Sequence, residues 1–311
     1  MSVEYAIIVK NKTRLEVLTE RFNTKAQAKF YIERSGGNFE DYEMEDRVFH
    51  LSLSFIQRQL SKVIKSKIVE RQFLPSFLFS ENQVVIVVGQ DGLVANTAKY
   101  VHGIPIVAVN PDIERFDGYL LPFDSNTFID GVRSVIAGNY KFRSVTLAEA
   151  TLNDSQRLLA FNDLFIGAAS HVSARYKISF GNKTEEHSSS GVIVSTKAGS
   201  TGWLSSIFNM TSAMHKFIVK NNEKRRQVPL KDHQLMFVVR EPFQSKKTQA
   251  ALAAGILSGE MKLIIESHMP TNGVIFSDGI ESDFLTFNSG SIATIGTAKD
   301  VAIIVTPDAV S

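Results

Sequence analysis

The sequence predicts an α/β N-terminal domain with a parallel, Rossmann-like sheet, followed by a C-terminal all-β domain of layered sheets or a sandwich. Three observations carry that expectation. Val84-Val85-Ile86-Val87-Val88 is an unbroken β-branched run, the texture of a central strand buried on both faces. A helical pattern over residues 94–101 and a second apolar run over 104–109 follow closely, which makes a βαβ unit with a right-handed crossover. From about residue 125 the chain changes to short alternating runs with few helices between them, the pattern of layered β-structure. A chain of 311 residues is long enough for two domains, read here as 1–125 and 126–311.

In order, residues 5–9 form a short apolar strand, and Leu15, Val17, Leu18 and Phe22 recur at helical spacing after Thr13. Residues 26–32 read as a second helix closed by Ser35-Gly36-Gly37. Residues 49–67 carry Leu51, Leu53, Phe55, Ile56, Leu60, Val63 and Ile64 mostly at helical intervals, with Lys62, Lys65 and Lys67 on a solvated face. The stretch 68–79, around Pro75, is ambiguous between strand and loop. The helix 94–101 ends at His102-Gly103, and Asn110-Pro111-Asp112 closes the strand after it. Residues 127–137 are one more helix, stopped by Gly138-Asn139. Short strands are then expected at 145–150, 158–166, 174–180, 192–195, 235–239, 261–266, 273–276, 284–287 and 293–297. The charge-rich stretch 221–227 reads as a solvated loop, since no aromatic residue interleaves its cations.

Composition removes several function classes. With 34 Lys+Arg against 32 Asp+Glu the formal charge is +2, too little for a broad field that holds duplex nucleic acid. Zero cysteines exclude disulfides, thiolate zinc sites and cysteine nucleophiles. No run approaches the roughly 20 apolar residues of a membrane span and no basic-then-apolar leader stands at Met1, so the expectation is a cytoplasmic protein without membrane or nucleic-acid partners. The seven histidines show no metal-ligand spacing, and neither a Gly-x-Ser-x-Gly elbow nor a Walker A loop is present.

Four stretches carry chemistry. Gly89-Gln90-Asp91-Gly92 ends the central strand, where open α/β sheets bind ligands; two glycines allow close backbone approach, and the alternative is a tight turn with Asp91 capping the next helix. Asn162-Asp163 breaks an apolar run, reading either as a bulge or as an amide and acid that recognise ribose or an adenine edge. Ser195-Thr196-Lys197-Ala198-Gly199-Ser200-Thr201-Gly202 offers hydroxyls and free N–H groups suited to phosphate and ribose, or is a flexible Ser/Gly loop; Trp203 after it closes that site or anchors the core. Ser277-Asp278-Gly279 is a hairpin signal.

The order of these four stretches resembles that of the NAD kinase family. Gly89-Gln90-Asp91-Gly92 looks like its Gly-Gly-Asp-Gly motif, Asn162-Asp163 like its Asn-Glu/Asp motif, Gly191 to Thr201 like its serine/threonine segment, and Asp278-Gly279 like its late Asp-Gly. The resemblance is strongest to the mitochondrial-type NAD kinases of animals, through Phe161-Asn162-Asp163-Leu164-Phe165-Ile166-Gly167, Ser173-Ala174-Arg175-Tyr176, Trp203 and Val239-Arg240-Glu241-Pro242. It implies an NAD kinase/diacylglycerol kinase-like fold, with an active site between the domains, and a homodimer or higher homo-oligomer. It implies ATP with Mg²⁺ as a divalent cation, phosphorylating the adenosine 2′-hydroxyl of NAD to give NADP.

The resemblance makes Asp91 the catalytic base. Gly89, Gln90 and Gly92 would face the ATP phosphates, Asn162 and Asp163 the adenosine, and Ser195, Thr196, Ser200 and Thr201 the ribose and phosphates, with Arg175 a nearby positive charge. The sequence departs from the family at Gln90 (usually Gly), Leu93 (usually Thr) and Lys197-Ala198 (usually Pro-Thr). Two other readings stand beside it. One is a catalytically silent dinucleotide-binding or regulatory protein, motivated by Gln90 and Leu93. The other is a kinase of another small hydroxyl compound on the same fold.

Overall fold

The computed structural model describes residues 3–219 and 228–307, and the charged stretch 221–227 lies outside the described residues. The chain divides into two compact units, Met1–Ser144 with Ala302–Ser311, and Val145–Val301.

The first unit is organised by a parallel sheet. β1 (Tyr5–Lys10) lies between β2 (Lys65–Glu70) and β3 (Gln83–Val88), with Ile8 level with both Ile68 and Ile86. β4 (Ile106–Asn110) pairs parallel with β3, β5 (Phe123–Asp124) pairs with β4, and Ile304 near the chain's end stands level with Ile106 of β4. The run Val84, Val85, Ile86, Val87 and Val88 is completely buried, as a strand covered on both faces must be. Three helices carry the chain from β1 to β2: α1 (Arg14–Phe22), α2 (Lys25–Arg34) and α3 (Phe39–Leu60). One helix, α4 (Asp91–Ala98), carries it from β3 to β4, and α5 (Phe128–Ile136) follows β5. The chain therefore leaves β1 toward one edge and β3 toward the other, so the carboxyl ends of β1 and β3 form the point where strand order reverses.

Local sequence explains these boundaries. Thr13 opens α1 with a capping box: its hydroxyl accepts from the Glu16 N–H at 3.2 Å, and the Glu16 carboxylate accepts from the Thr13 N–H at 2.7 Å. The helix expected over 49–67 begins ten residues earlier and ends at Leu60; Lys65 and Lys67 are exposed residues of β2. The acidic first half of α3, capped by Asn38, hid its beginning. Its apolar stripe of Phe49, Leu53, Ile56 and Leu60 packs on the sheet with Phe128, Val132 and Val135 of α5. The ambiguous stretch 68–79 is the end of β2 followed by a 3-10 turn, Arg71–Ser76.

The second unit is a β-sandwich carrying one long helix. Its strands are β6 (Lys141–Leu152), β7 (Arg157–Ala160), β8 (Asp163–Ala168), β9 (Ala174–Phe180), β10 (Lys183–Ser189), β11 (Val192–Thr196), β12 (Gln234–Val239), β13 (Ala254–Ser258), β14 (Leu263–Ser267), β15 (Gly273–Ser277), β16 (Ile280–Thr286) and β17 (Ile292–Thr306). One antiparallel sheet has the order β13-β12-β11-β8-β15-β16. The facing strands run β10-β9-β14-β17, also antiparallel. Leu164, Ile166, Val192, Val194 and Phe237 of the first sheet meet Tyr176, Ile178, Leu263, Ile265 and Ile295 of the second.

β10 and β13 were not expected. Both end their sheets, and the polar Lys-Thr-Glu-Glu-His-Ser-Ser of β10 reads as loop because an edge strand needs little apolar surface. The long helix α6 (Trp203–Val219) was also unexpected, its serines and threonines imitating a loop. No helix among the described residues is long and apolar enough to cross a membrane.

Candidate functional site

The first unit places its glycine bend where the sheet order reverses. β3 ends at Val88, Gly89 and Gln90 make the turn, and α4 starts at Asp91. Gln90, not Asp91, is the N-cap residue, and its exposed side chain makes no capping bond. The half-buried Asp91 accepts a 2.7 Å hydrogen bond at Oδ1 from the Leu120 N–H. That bond fixes the carboxylate through Oδ1, and Oδ2 has no hydrogen-bond or ion-pair partner among the described residues. A side chain at Gly89 would come within 2.9 Å of Leu93, whose apolar side chain, 6% exposed, fills the space beneath the turn.

Beside this bend lies a cavity of about 310 Å³, lined by Gly89 and Gln90 from the turn, Gly92 and Leu93 from the first turn of α4, Arg14 from the start of α1, and Asn11, Arg71 and Asp112 just beyond neighbouring strands. Its volume is at the small end of ligand pockets. Arg14 is bonded to Glu45 and lies 4.4 Å over the Tyr42 ring, and Arg115 pairs with Asp112 at 3.6 Å. Arg71 has no ion pair among the described residues.

The second unit brings three sequence-distant stretches into one network. Asp278 accepts from the N–H groups of Phe161, Asn162 and Asp163 at 3.0, 2.6 and 3.3 Å. The Asp278 N–H donates to the Asp163 carbonyl at 3.0 Å. Asp278 and Gly279 both have positive φ, 53° and 70°, which is the two-residue hairpin turn the sequence suggests between β15 and β16. The turn thus carries a carboxylate that anchors the Asn162 bend, a role no local pattern announces.

The serine/threonine segment holds the same bend from the other side. The Thr196 N–H donates to the Asn162 carbonyl at 2.8 Å and its hydroxyl to the Phe161 carbonyl at 2.6 Å. The Thr196 hydroxyl in turn accepts from the Gly199 N–H at 3.1 Å. A Cβ at Gly199 would stand 2.1 Å from the Asn162 carbonyl oxygen, so only glycine fits. Ser195 and Thr196 are completely buried and their hydroxyls serve this backbone. Ser200 donates to the Lys197 carbonyl at 2.7 Å, and Thr201 is exposed at the rim. Lys197 pairs with Asp232 at 2.9 Å, and Arg175 is an exposed residue of β9. Asn162 itself is half-buried.

Asp163 is 8% exposed, and burial, reinforced by the neighbouring Asp278 carboxylate, pushes its carboxyl up to about 7. Near neutral pH it exists in both protonation states. Protonated, it donates a hydrogen bond; ionised, it accepts one.

A second cavity of about 420 Å³ opens on the outer face of this sheet, lined by Phe165, Trp203, Phe276, Phe284, Arg240 and Glu281 among others. Phe165 stacks on Trp203 (centroids 5.9 Å, 11°) and on Phe276 (4.9 Å), and the Arg240 guanidinium lies 5.4 Å over Trp203. Trp203 therefore both anchors a packed cluster and walls an open, aromatic pocket with one cation at its edge. Elsewhere, Glu16, Asp46 and His50 bring three ligand atoms within 4.8 Å of one another. Thr13 already donates to both carboxylates, so the cluster is part of the α1 cap rather than an open cation site.

No protein-family model matches the chain. An NAD kinase of Clostridium tetani (strain Massachusetts / E88) is 30% identical over 128 residues, which is 39% of this chain and 46% of that kinase. The match thus spans less than half of the curated relative's length. Among solved structures, the yeast NADH kinase complexed with NADH superposes at a TM-score of 0.60, over 99% of this chain and 84% of its own, with 14% identity. The NAD kinase of Archaeoglobus fulgidus in complex with ATP superposes at 0.52, over 96% of this chain and 92% of its own, with 13% identity. The fold is that of the NAD kinases.

Proposed function

We propose that the protein is an ATP-dependent NAD kinase, transferring the γ-phosphoryl group of ATP to the adenosine 2′-hydroxyl of NAD to give NADP and ADP. The observation that carries this reading is Asp91, held by Leu120 at the reversal point of a sheet whose fold is shared with nucleotide kinases, with one carboxylate oxygen left for a substrate hydroxyl.

A ribose hydroxyl is a poor nucleophile at neutral pH, and Asp91 orients it and accepts its proton as the new O–P bond forms and the β–γ bridging bond breaks. The bare backbone at Gly89 and Gly92, with Arg71 at the pocket wall, suits a phosphate chain. Glu45 and Asp112 in that pocket are paired with arginines, so the donor set fits a divalent cation carried mainly by the substrate's own phosphate oxygens and water. When bound with ATP, Mg²⁺ neutralises charge on those oxygens. Asn162 and Asp163 read the adenosine, Ser200 and Thr201 border it, and Ser195 and Thr196 act as positioning residues behind them. The aromatic pocket of Trp203, Phe165 and Phe276 suits one planar ring of the dinucleotide. We place the protein with the mitochondrial-type kinases of animals on residues 161–167 and 239–242, and read it as a homo-oligomer.

A coupled NADP-formation assay on wild type and Asp91→Asn tests the proposal. The expected result is a loss of about 10²–10⁴-fold in rate, with calorimetric NAD affinity kept. Equal rates in the two proteins would remove the base assignment. One observation favours a silent dinucleotide-binding protein instead: Leu93 places an apolar side chain where a hydroxyl donor would serve the phosphates, and Gln90 adds a side chain to the turn. Wild type that binds NAD yet forms no NADP with any nucleoside triphosphate would establish that alternative.

A further inference from the structure

The segment that joins β2 to β3 carries apolar side chains that the sheet does not cover. It runs through the 3-10 turn Arg71–Ser76 to the start of β3 at Gln83, and the completely buried Leu74 pins it to the first unit. Phe77 is extended (φ −88°, ψ 126°), and its ring meets that of Phe79 edge to face with centroids 4.7 Å apart. Extended backbone alternates its side chains, so Leu78, between the two rings, points the other way. Leu78 is 90% exposed and Phe73 54%. One such residue is ordinary on a protein surface, whereas a leucine at the tip of an aromatic segment is an apolar projection.

The lysines of β2 stand beside this projection. β2 is the edge strand of its sheet, and Lys65 and Lys67, two residues apart, share one face of it. The Lys67 ammonium lies 5.5 Å from the centroid of the Phe77 ring, which puts that face on the side of the joining segment. Lys62, Lys65 and Lys67 are all exposed, and none has an ion pair among the described residues; Lys62 donates to the Gln59 side chain at 3.2 Å. Residues 61–80 hold one carboxylate, Glu70, and it faces Lys10 of β1 at 3.7 Å.

We infer that this edge of the first unit docks on an anionic lipid surface, with Leu78 and Phe73 entering the interfacial layer and the three lysines over the headgroup phosphates. The order of chemistry favours that occupant over a protein. A bilayer presents phosphate oxygens first and acyl chains beneath them, and here unpaired ammonium groups surround an apolar tip. A protein partner of an apolar surface offers and receives packed area, and a single leucine tip supplies little. The contact lies on the membrane and needs no spanning helix.

Vesicle sedimentation of the full-length protein tests this without reference to catalysis. At about 0.1 M salt the protein should pellet with phosphatidylcholine vesicles containing about 30% phosphatidylserine, stay in solution with phosphatidylcholine alone, and be released near 0.5 M salt. Lys65→Gln with Lys67→Gln should weaken partitioning about 25-fold, at about fivefold per lysine. Leu78→Ser should weaken it about tenfold. Both variants change exposed side chains, so their thermal unfolding midpoints should match wild type. Wild type that stays in solution with the phosphatidylserine vesicles, or pellets equally with neutral ones, would overturn the inference. Wild-type partitioning by either variant would overturn it too, and so would a changed sedimenting mass of Leu78→Ser in lipid-free solution, which would assign the tip to a second copy of the chain.

Discussion

The two bends that carry the candidate chemistry are built in opposite ways. The bend at Gly89-Gln90-Asp91-Gly92 is a local product: a buried strand runs out, Gly89 and Gln90 turn it, a helix starts, and one long-range bond from Leu120 steadies Asp91. The bend at Asn162-Asp163 has no such local logic. Asp278 holds it across more than 110 residues of chain, and Thr196 and Gly199 across more than 30. A group that must meet a moving phosphate gains from an open, lightly braced turn. A group that must read the shape of one nucleoside gains from a braced one, because affinity falls when the bound geometry has to be assembled at the moment of binding.

The largest effect on stability should come from breaking the brace. Asp278→Ala leaves three backbone N–H groups at the Asn162 bend without an acceptor, at about 1–3 kcal/mol each, less the relief of repulsion on Asp163. Chemical denaturation should show a loss of about 3–6 kcal/mol, and NAD affinity should fall with it. If Asp278→Ala unfolds at the wild-type denaturant midpoint, the bend holds itself and the contrast between the two sites fails.

Asp163 sharpens the same comparison through pH. Its carboxyl is raised from 3.8 to about 7 by burial and by Asp278, so the folded protein keeps a proton that the unfolded chain releases. Its contribution to stability is therefore fully present below about pH 4 and is lost as pH rises through about 7, an order of 4 kcal/mol across the window. Asp163→Asn should flatten that part of the stability–pH curve and be the more stable protein at pH 8. Parallel curves for the two proteins between pH 4 and 8 would show that the site is wetter than its burial implies.

The same contrast explains what sequence reading reached. Val84 to Gly92 is legible because its signals are adjacent: β-branched residues, then glycines, then helix formers. The Asp278-Gly279 turn was legible as a hairpin and not as an anchor, since the three N–H groups it serves belong to a strand far away in sequence. The role of Ser195 and Thr196 was hidden for a related reason. A hydroxyl that faces a ligand and one that props its own backbone are the same letter, and only burial separates them. α6 escaped because its serines and threonines imitate a loop and its apolar residues from Met210 onward are exposed among the described residues, so its stripe completes no core there.

Two glycine substitutions separate packing from function at the two bends. At Gly199 an added methyl meets the Asn162 carbonyl at 2.1 Å, and that backbone is already pinned by Thr196 and Asp278. Gly199→Ala should cost about 1–3 kcal/mol in thermal or chemical unfolding and weaken NAD binding together with it.

Gly92 is the opposite case and the smallest effect. It lies inside α4, an added Cβ there finds nothing within 4 Å, and the residue faces the cavity of the first unit. Alanine is the better helix former, so Gly92→Ala should leave stability unchanged or raise it by up to about 1 kcal/mol. The methyl nevertheless occupies space that the proposed reading gives to a phosphate chain. The KM for ATP should then rise about tenfold while the KM for NAD stays within error, a split that a purely structural glycine would not produce. Unchanged kinetics for both substrates would mean that the bare backbone at 92 faces solvent alone, and that the donor enters the first unit by another route.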